Sequence, residues 1–511
     1  MKKKFKVLTI CFVVLLFAPL VLGQQPQVTM AFTVSMEQPT THNYHVVFRC
    51  AGLKGELQDF KMPAFSPGFY RIMNFADNVS NFHAEDDASK PLPWEKTAKN
   101  TWRVACGHAD SVTVSYDVKA SGGGVAGCTL NESRGYISTT GVFMHVAGQL
   151  HRPVTVAIKP YEKWSTISTG LDPVEGKLNT FRAENFDVLY DCPIFMCNQE
   201  VISFEVQGIP HYVAMVNPGT FNRKEFTNDL ARMITSAADI IGDIPYRHYT
   251  FIIMGRGGGG LEHLNSTALF TSVSGPENPA RNMGWLSFVT HEYFHHYNVK
   301  RIRPIALGPF DYDRENYTNM LWVSEGFTVY YEYIILNRAG FLSRDEFLNR
   351  ISSIIAKCEN SPGHLIQSVA DASYNAWTQS FFGSDQEVSY YDKGAILATL
   401  LDLKIRHESK NNKCLDDVMR TLYWKYYKEK NRGFTDAEFR AACELAAGCS
   451  LTEVFEYAYT TKKIDYPKYF SYTGLNIEMP REETERGTFR IRPMVNQNSL
   501  QASILKKWLK N

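Results

Sequence analysis

The hydrophobic pattern of this 511-residue chain changes near residue 282, and that change constrains the fold more than any other feature. Before it, short runs rich in β-branched and aromatic residues alternate with turn clusters such as SPG, SGGG and NES. Many short strands at this spacing are typical of a β-sandwich. After it, apolar residues recur at helical spacing in one segment after another. We therefore predict an α+β fold, in which a β-sandwich-like domain precedes a unit with a mainly helical C-terminal half.

The boundaries follow from the same pattern. We place the N-terminal β-domain at residues 24–188 and the second unit at residues 189–475. The second unit divides into a β-rich part, 189–275, and a helical part, 282–475, and residues 476–511 form a short tail. The predicted helical segments are 223–241, 285–299, 321–337, 344–358, 393–407, 415–428 and 436–446.

Residues 1–23 have the layout of a secretory signal peptide. Four lysines precede an apolar run of about 16 residues, and Val21 and Gly23 occupy the −3 and −1 positions of a cleavage site. The alternative is an uncleaved membrane anchor, which the short run and Pro19 disfavour. We predict cleavage after Gly23 and a secreted or periplasmic protein, with no membrane span in the mature chain.

Charge and cysteine content narrow the function classes. The chain has 54 Lys and Arg against 53 Asp and Glu, so no basic excess supports nucleic-acid binding. The predicted mature chain keeps nine of its ten cysteines, and an oxidising compartment would permit disulfides. Cys192 with Cys197 and Cys443 with Cys449 are candidate pairs because they are close in sequence, although spacing does not determine connectivity.

The segment HEYFH, residues 291–295, points to a metal site. Positions i and i+4 of a helix share one face, so His291 and His295 can place two imidazole nitrogens on one metal ion, and Glu292 can reach a metal-bound water. The alternative is a helix with incidental histidines. That alternative is weaker because a Glu and two histidines in an apolar segment need a compensating group. His296 lies about 100° round the helix, so we do not expect it to be a ligand.

A catalytic zinc takes three protein ligands and keeps a fourth position for water, so one more ligand is needed. Glu325 lies in the apolar segment LWVSEGFT, which is a poor environment for an unpaired carboxylate. As a ligand it would complete a His, His, Glu set. The alternative is a first-turn acid favoured by the helix dipole.

Two further segments could serve such a site. Gly257–Gly260 follow the apolar run FIIM, and the absence of a GK[ST] sequence disfavours a phosphate-binding loop. An edge strand that a peptide backbone can approach is the alternative, with Glu262 as either a fixed charge at the cleft or a surface acid. A Tyr hydroxyl could stabilise an oxyanion, but spacing alone does not select Tyr391 among the tyrosines.

Together these segments resemble the glycyl aminopeptidase family of zinc metallopeptidases, whose members often carry a PDZ domain. The resemblance covers about residues 28–475. It rests on MPAFSPGFYRIMNFADNVSNFHAED (62–86), GGGLEH (258–263), HEYFHHYNVKRIRP (291–304), GPFDYDRENYTNMLWVSEGFTVYY (308–331) and YDKGA (391–395). A PDZ domain needs roughly 80–100 residues, so residues 476–511 lead us to expect a version without that module.

The resemblance implies a thermolysin-like, gluzincin catalytic domain with one zinc ion per chain. In that family the ion would be bound by His291, His295 and Glu325, with Glu292 as the general base.

More distant aminopeptidases have a GxMEN loop, whose Glu binds the free amino terminus of the substrate, and a catalytic Tyr in a YxKG motif. Here LEH stands in place of MEN, so the resemblance implies Glu262 as the anchor, beside the substrate-binding residues Gly259 and Gly260. Tyr391 corresponds to the catalytic tyrosine.

The implied function is a zinc aminopeptidase that removes small amino-terminal residues, preferably glycine, from peptides with a free amino terminus. A zinc metalloendopeptidase is one alternative. A non-catalytic secreted binding protein on a peptidase fold is another.

Overall fold

The computed structural model describes residues 29–271, 277–380, 382–480 and 487–510, and the predicted signal peptide lies outside them. The strands are β1 (Thr29–Ser35), β2 (Asn43–Ala51), β3 (Leu57–Lys61), β4 (Val79–Asp86), β5 (Trp94–Ala98), β6 (Thr101–Ala105), β7 (Ser111–Lys119), β8 (Thr129–Asn131), β9 (Arg134–Ile137), β10 (His145–Val146), β11 (Val154–Lys159), β12 (Thr166–Thr169), β13 (Asp172–Pro173), β14 (Thr180–Ala183), β15 (Ile194–Cys197), β16 (Glu200–Val206), β17 (Ile209–Met215), β18 (Tyr249–Ile253), β19 (Gly260–Glu262), β20 (Ser266–Leu269), β21 (Leu475–Glu478) and β22 (Arg490–Pro493).

The helices are α1 (Phe186–Tyr190), α2 (Arg223–Ile241), α3 (Met283–Phe294), α4 (Phe327–Arg338), α5 (Arg344–Glu359), α6 (Gly363–Ile366), α7 (Val369–Tyr374), α8 (Tyr390–Glu408), α9 (Leu415–Thr421), α10 (Asp436–Ala447), α11 (Thr452–Tyr459), α12 (Tyr466–Ser471) and α13 (Ser499–Trp508). Two π-helical segments, Trp322–Gly326 and Leu422–Glu429, lie next to α4 and α9. Within the described residues, none of the helices has the length and apolar character needed to cross a membrane.

The N-terminal part consists mainly of β-sheets, as predicted. A seven-stranded sheet has the order β13-β14-β11-β1-β2-β7-β4, and a four-stranded sheet has the order β10-β3-β6-β5. Alternate residues of β1 and β2 are buried, as expected for strands with one face on a core. Phe48 of the larger sheet meets Phe60 of the smaller sheet edge-to-face, with ring centroids 5.9 Å apart. The two sheets therefore pack face to face around an aromatic core.

A five-stranded sheet connects this part to the helices. Its order is β16-β17-β18-β20-β19, and β19 pairs antiparallel with β20 at the edge. The opposite side of β19 carries no strand in the described part of the chain. Because β19 holds Gly260 to Glu262, the predicted substrate-binding segment is an edge strand with one side open to pairing.

The C-terminal half is helical, which confirms the predicted fold class. Helix α8 is buried around most of its circumference, as expected for a helix surrounded by others. Helix α2 has the predicted bounds, whereas α3 ends five residues before the predicted residue 299. It ends early because the chain turns back, with the backbone N–H of Ile302 bonded to the carbonyl of Tyr297.

Residues beyond 475 pack against the second unit. Strand β22 pairs with β21, so the predicted boundary at 475/476 falls within β21. The indole N–H of Trp508 in α13 donates to the hydroxyl of Tyr330 over 2.9 Å.

The two candidate disulfides are not formed. All nine cysteines in the described residues are free thiols. Cys192 packs into the main core, whereas Cys197 packs into a separate cluster with Val125 and Ile252, so the two side chains face different cores. Cys443 is buried in α10, and Cys449 follows the helix cap beyond it at partial exposure.

The backbones of two glycines touch where α8 crosses the π-helical segment. A Cβ built on Gly326 would lie 2.3 Å from the Cα of Gly394, and one built on Gly394 would lie 2.3 Å from the carbonyl oxygen of Trp322. Neither distance is possible for a real side chain, so any larger residue would push the two elements apart. Glycine at both positions sets how closely Glu325 and α8 approach.

We expect Gly394→Ala to destabilise the protein by about 1–3 kcal/mol, the usual cost of overpacking a core. The measurement is the midpoint of thermal unfolding. Gly284→Ala is the matched control, because that helical glycine is exposed and its added Cβ would have its nearest contact at 3.4 Å. Equal midpoints for the two variants would contradict the close contact.

Candidate metal centre and active site

Helix α3 presents two imidazoles on one face. The side chain of Asn282 caps the helix by accepting from the N–H of Trp285. The Nε2 atoms of His291 and His295 lie 3.0 Å apart. Oε2 of Glu325 lies 3.6 Å from the first of these nitrogens and 3.1 Å from the second.

These separations fit a metal ion. Ligand atoms about 2.0–2.1 Å from a tetrahedral zinc lie about 3.3 Å from one another. His291, His295 and Glu325 are the group in the described residues whose ligand atoms converge in this way. Burial alone would raise the pKa of Glu325, but the two imidazoles outweigh it and lower that pKa to about 2. The carboxylate is therefore held in the charged form that a metal needs.

The outer nitrogen of each imidazole has its own partner. Nδ1 of His295 lies 2.8 Å from the carbonyl oxygen of Asn298, and Nδ1 of His291 lies 3.3 Å from a carboxylate oxygen of Glu332. When Nδ1–H donates to these acceptors, the Nε2 lone pairs face Glu325 and are free to bind a metal. Ser287 in turn donates to Glu332.

Asn298 joins the two ligand-bearing segments. Its side-chain NH₂ donates to the carbonyl oxygens of Val323 and Ser324, each at 2.9 Å. The turn after α3 is thereby tied to the π-helical segment that carries Glu325. Sequence reasoning did not select Asn298, although an Asn three residues after His295, in the mostly apolar and aromatic segment around it, was a usable signal.

The side chain of Glu292 extends from α3 toward the edge strand β19. A Cβ built on Gly260 would lie 2.5 Å from Oε1 of Glu292, so only glycine leaves room for the carboxylate. Burial raises the pKa of Glu292 to about 7, despite the opposing effect of the two histidines. A carboxyl group with a pKa near neutrality suits proton transfer in both directions.

Glu262 belongs to a buried charge cluster. Its Oε1 lies 3.5 Å from Nζ of Lys300, and Nζ lies 2.8 Å from Oδ1 of Asp191. Nδ1 of His263 lies 3.4 Å from the same Asp191 oxygen. The cluster thus places two carboxylates around one ammonium group. Oε1 of Glu262 accepts no hydrogen bond from the described residues.

Tyr391 lies beside the metal ligands. Its ring is nearly parallel to that of His291, with centroids 6.2 Å apart and an interplanar angle of 27°. Burial, and next the charge of Glu325, raise the pKa of Tyr391 well above its usual value. The hydroxyl therefore stays protonated and can donate a hydrogen bond.

The β-domain also reaches the site, which sequence reasoning missed. A Cβ built on Gly68, whose φ is +90°, would lie 2.5 Å from Oε1 of Glu262. Tyr70 packs edge-to-face on Trp377, with centroids 5.8 Å apart. Arg71 donates to the carbonyl oxygens of Ala376 and Gln379. We call residues 66–71 the closing loop, because they fasten the β-domain over the Glu262 end of β19.

The structure brings the predicted site residues together along α3, α8, β19 and the π-helical segment that carries Glu325. His296 points elsewhere: its Nδ1 contacts the carbonyl oxygen of Tyr293, and its ring packs against Tyr246 and Tyr249. Gly259 precedes β19 with a φ of +99°, a conformation that favours glycine.

Comparison with known protein families identifies the family of this chain. Residues 31–198 match the model described as the Peptidase M61 N-terminal domain, and residues 284–397 match the model described as M61 glycyl aminopeptidase. Together the matches span more than half of the chain. The chain belongs to the M61 glycyl aminopeptidase family. The second M61 match includes all three candidate metal ligands, Glu292 and Tyr391.

Solved structures agree with the M61 assignment. An aminopeptidase N family protein from Idiomarina loihiensis is 28% identical, with a TM-score of 0.82, over 88% of this chain and 79% of that one. An M1 zinc metallopeptidase from Deinococcus radiodurans is 12% identical, with a TM-score of 0.56, over 86% and 96% of the two chains. The latter similarity shows the fold alone. No curated protein matches this chain.

If Glu325 is the third ligand, Glu325→Ala should lose most of the bound metal, because two imidazoles alone leave the ion under-coordinated. Elemental analysis after dialysis gives the metal content per chain. Glu429→Ala, at an exposed position outside the site, is the control and should keep the wild-type content. Unchanged metal content in Glu325→Ala would rule out this ligand.

Proposed function

We propose that this M61 protein is a zinc aminopeptidase that removes an amino-terminal residue, preferably glycine or another small one, from peptides. The observation that carries the proposal is the position of the Glu262 carboxylate. Glu262 and Gly260 are two residues apart on β19 and share one side of the strand, and Gly260 contacts Glu292. A peptide reacting beside Glu292 would thus have its amino terminus within reach of Glu262.

The charge of the Glu262 cluster supports binding of an amine. An uncompensated buried negative charge is costly, and a substrate α-ammonium group would neutralise it. The Oε1 atom without a hydrogen-bond donor provides an acceptor for that group. Lys300 approaches this same oxygen at 3.5 Å, longer than the usual hydrogen-bond range of about 2.7–3.2 Å, so it orients the carboxylate without donating a hydrogen bond to Oε1.

The closing loop favours an aminopeptidase over an endopeptidase. An endopeptidase must let the chain continue past the scissile residue on its amino-terminal side. Here the backbone at Gly68 lies against the Glu262 carboxylate, and Tyr70 and Trp377 pack behind it. A closed end of this kind also leaves little space for a large first side chain, which agrees with a preference for small residues.

The donor set fits one zinc ion per chain, since two His and one Glu form a familiar catalytic zinc site. His291, His295 and Glu325 would hold the ion, which would supply Lewis-acid chemistry, lowering the pKa of a bound water and polarising the substrate carbonyl. Glu292 takes a proton from the attacking water and delivers it to the leaving nitrogen. Tyr391 donates a hydrogen bond to the oxyanion that develops on the carbonyl oxygen. The positions of Glu292 and Tyr391 beside the candidate ligands support turnover over a role as a binding protein.

The base is tested by Glu292→Gln, which keeps the shape of the side chain and removes its ability to accept a proton. We expect kcat to fall by about 10²–10⁴-fold, the usual contribution of general acid–base catalysis, while the metal content stays unchanged. Peptide hydrolysis and elemental analysis on the same preparation check both parts. A near-normal kcat would exclude Glu292 as the base.

The amine anchor is tested by comparing a glycyl tripeptide amide with its N-acetyl form. Acetylation should lower kcat/KM by at least about 100-fold, because leaving a buried charge without its partner costs about 3–5 kcal/mol. In Glu262→Gln the difference between the two substrates should shrink, whereas in the exposed control Glu175→Gln it should persist. Efficient cleavage of the acetylated peptide would instead identify an endopeptidase.

A further inference from the structure

A groove lies between two glycine-rich loops, one from the β-domain and one from the five-stranded sheet. The first loop is 122–124 and the second is 256–258. The groove has a volume of about 570 Å³, within the usual range for small-ligand sites. Arg134 and Arg256 both line it. We call it the two-arginine groove.

The two-arginine groove continues the path of the proposed substrate. A peptide with its amine at Glu262 and its reacting carbonyl beside Gly260 would extend past Gly259 toward Gly258 and Gly257. These last two glycines line the groove. They are the second and third residues before Gly260, in a bend that precedes β19. The groove therefore adjoins the end of β19 toward which the second and third residues after the scissile bond would extend.

Glycine at two positions of the groove is explained by neither packing nor backbone conformation. A Cβ on Gly123 or on Gly258 would meet no atom within 4 Å, and neither residue has a φ in the left-handed region. A larger residue at either position would narrow the groove. Glycines that the fold does not require are what a site needs if another backbone approaches closely.

The charge of the groove is positive and uncompensated. Among the described residues, neither Arg134 nor Arg256 forms an ion pair with an acidic side chain. One guanidinium nitrogen of Arg134 donates to the carbonyl oxygen of Met254 over 2.5 Å, which holds the head group at the groove wall. Its remaining donors are available to a ligand, and guanidinium groups bind carboxylates well because two N–H groups match two oxygens.

We propose that the two-arginine groove binds the C-terminal carboxylate of tripeptide and tetrapeptide substrates through Arg134 and Arg256. The inference rests on the proposed aminopeptidase function, which sets the direction of the peptide. On this proposal the enzyme acts on short peptides. The amino terminus of the substrate is held at one end of β19, and its C-terminal carboxylate is held beyond the other end. An Asp or Glu side chain of the substrate at the same distance from the amine would offer the arginines a carboxylate as well.

The test measures kcat/KM of the full-length enzyme for Gly-Ala-Ala and Gly-Ala-Ala-amide. We expect the free acid to be preferred by about 10–100-fold, as for hydrogen bonds to a charged group. In Arg256→Gln and in Arg134→Gln this ratio should fall toward one, mainly through KM of the acid. Arg49→Gln, an exposed arginine on β2, should keep the wild-type ratio. The preference should decline for glycyl peptides longer than four residues.

The outcomes separate the two proposals. If the wild-type enzyme cleaves acid and amide equally well, or if Arg256→Gln and Arg134→Gln both keep the wild-type ratio, the groove proposal is wrong and the aminopeptidase proposal stands. If neither peptide is cleaved by the metal-loaded enzyme, both are wrong. A peptide amide with aspartate as its third residue shows whether the bound carboxylate is the C-terminal one or that of a side chain. If it is preferred over both Gly-Ala-Ala forms in the wild type, the groove binds acidic side chains and the C-terminal assignment is overturned.

Discussion

The backbone contact between Gly326 and Gly394 is the constraint on which the rest of the site depends. Gly326 directly follows the metal-ligand candidate Glu325, and Gly394 lies three residues after Tyr391, almost one helical turn. A contact that allows no Cβ therefore fixes the acid and the tyrosine relative to one another. On the other side, Asn298 fixes the same π-helical segment to the turn after α3. The ligands are thus held from two directions by groups that bind neither metal nor substrate.

Buried charge explains why these residues occur together. Five acidic side chains, Asp191, Glu262, Glu292, Glu325 and Glu332, lie in or beside the site, and Lys300 contacts two of them. Desolvating that many acids without cations would be prohibitive. The imidazoles converge with Glu325 where a metal would bind, and Oε1 of Glu262 accepts no hydrogen bond from the described residues where an amine would bind. The residual negative charge is therefore located at the two positions where the proposed chemistry brings in positive charge.

The sequence predicted features that depend on neighbours along the chain. Helix α2 appears with the predicted bounds, and the pair His291 and His295 needs only helical spacing. The grouping of Glu325, Tyr391 and Glu262 with α3 came from the family resemblance, and the other features formed by distant segments were missed. Lys300 and Asp191 meet across more than a hundred residues, and Gly68 reaches Glu262 from another domain. The rejected disulfides show the same limit, because closeness in sequence did not reveal that Cys192 and Cys197 face different cores.

The β-domain, on the present proposals, decides which peptides fit, whereas the helical half carries out the reaction. The closing loop blocks the cleft at Glu262, and Gly123 and Arg134 line the groove beyond Gly257. Both ends of the path along β19 are therefore bounded by the same N-terminal domain, and the reacting groups come from α3, α8 and the π-helical segment. Substitutions in the β-domain loops can change the accepted length of a peptide without moving Glu292 or the metal ligands. Because both ends are formed by the N-terminal domain, the separation of the closing loop and the two-arginine groove sets the length of peptide that can engage both.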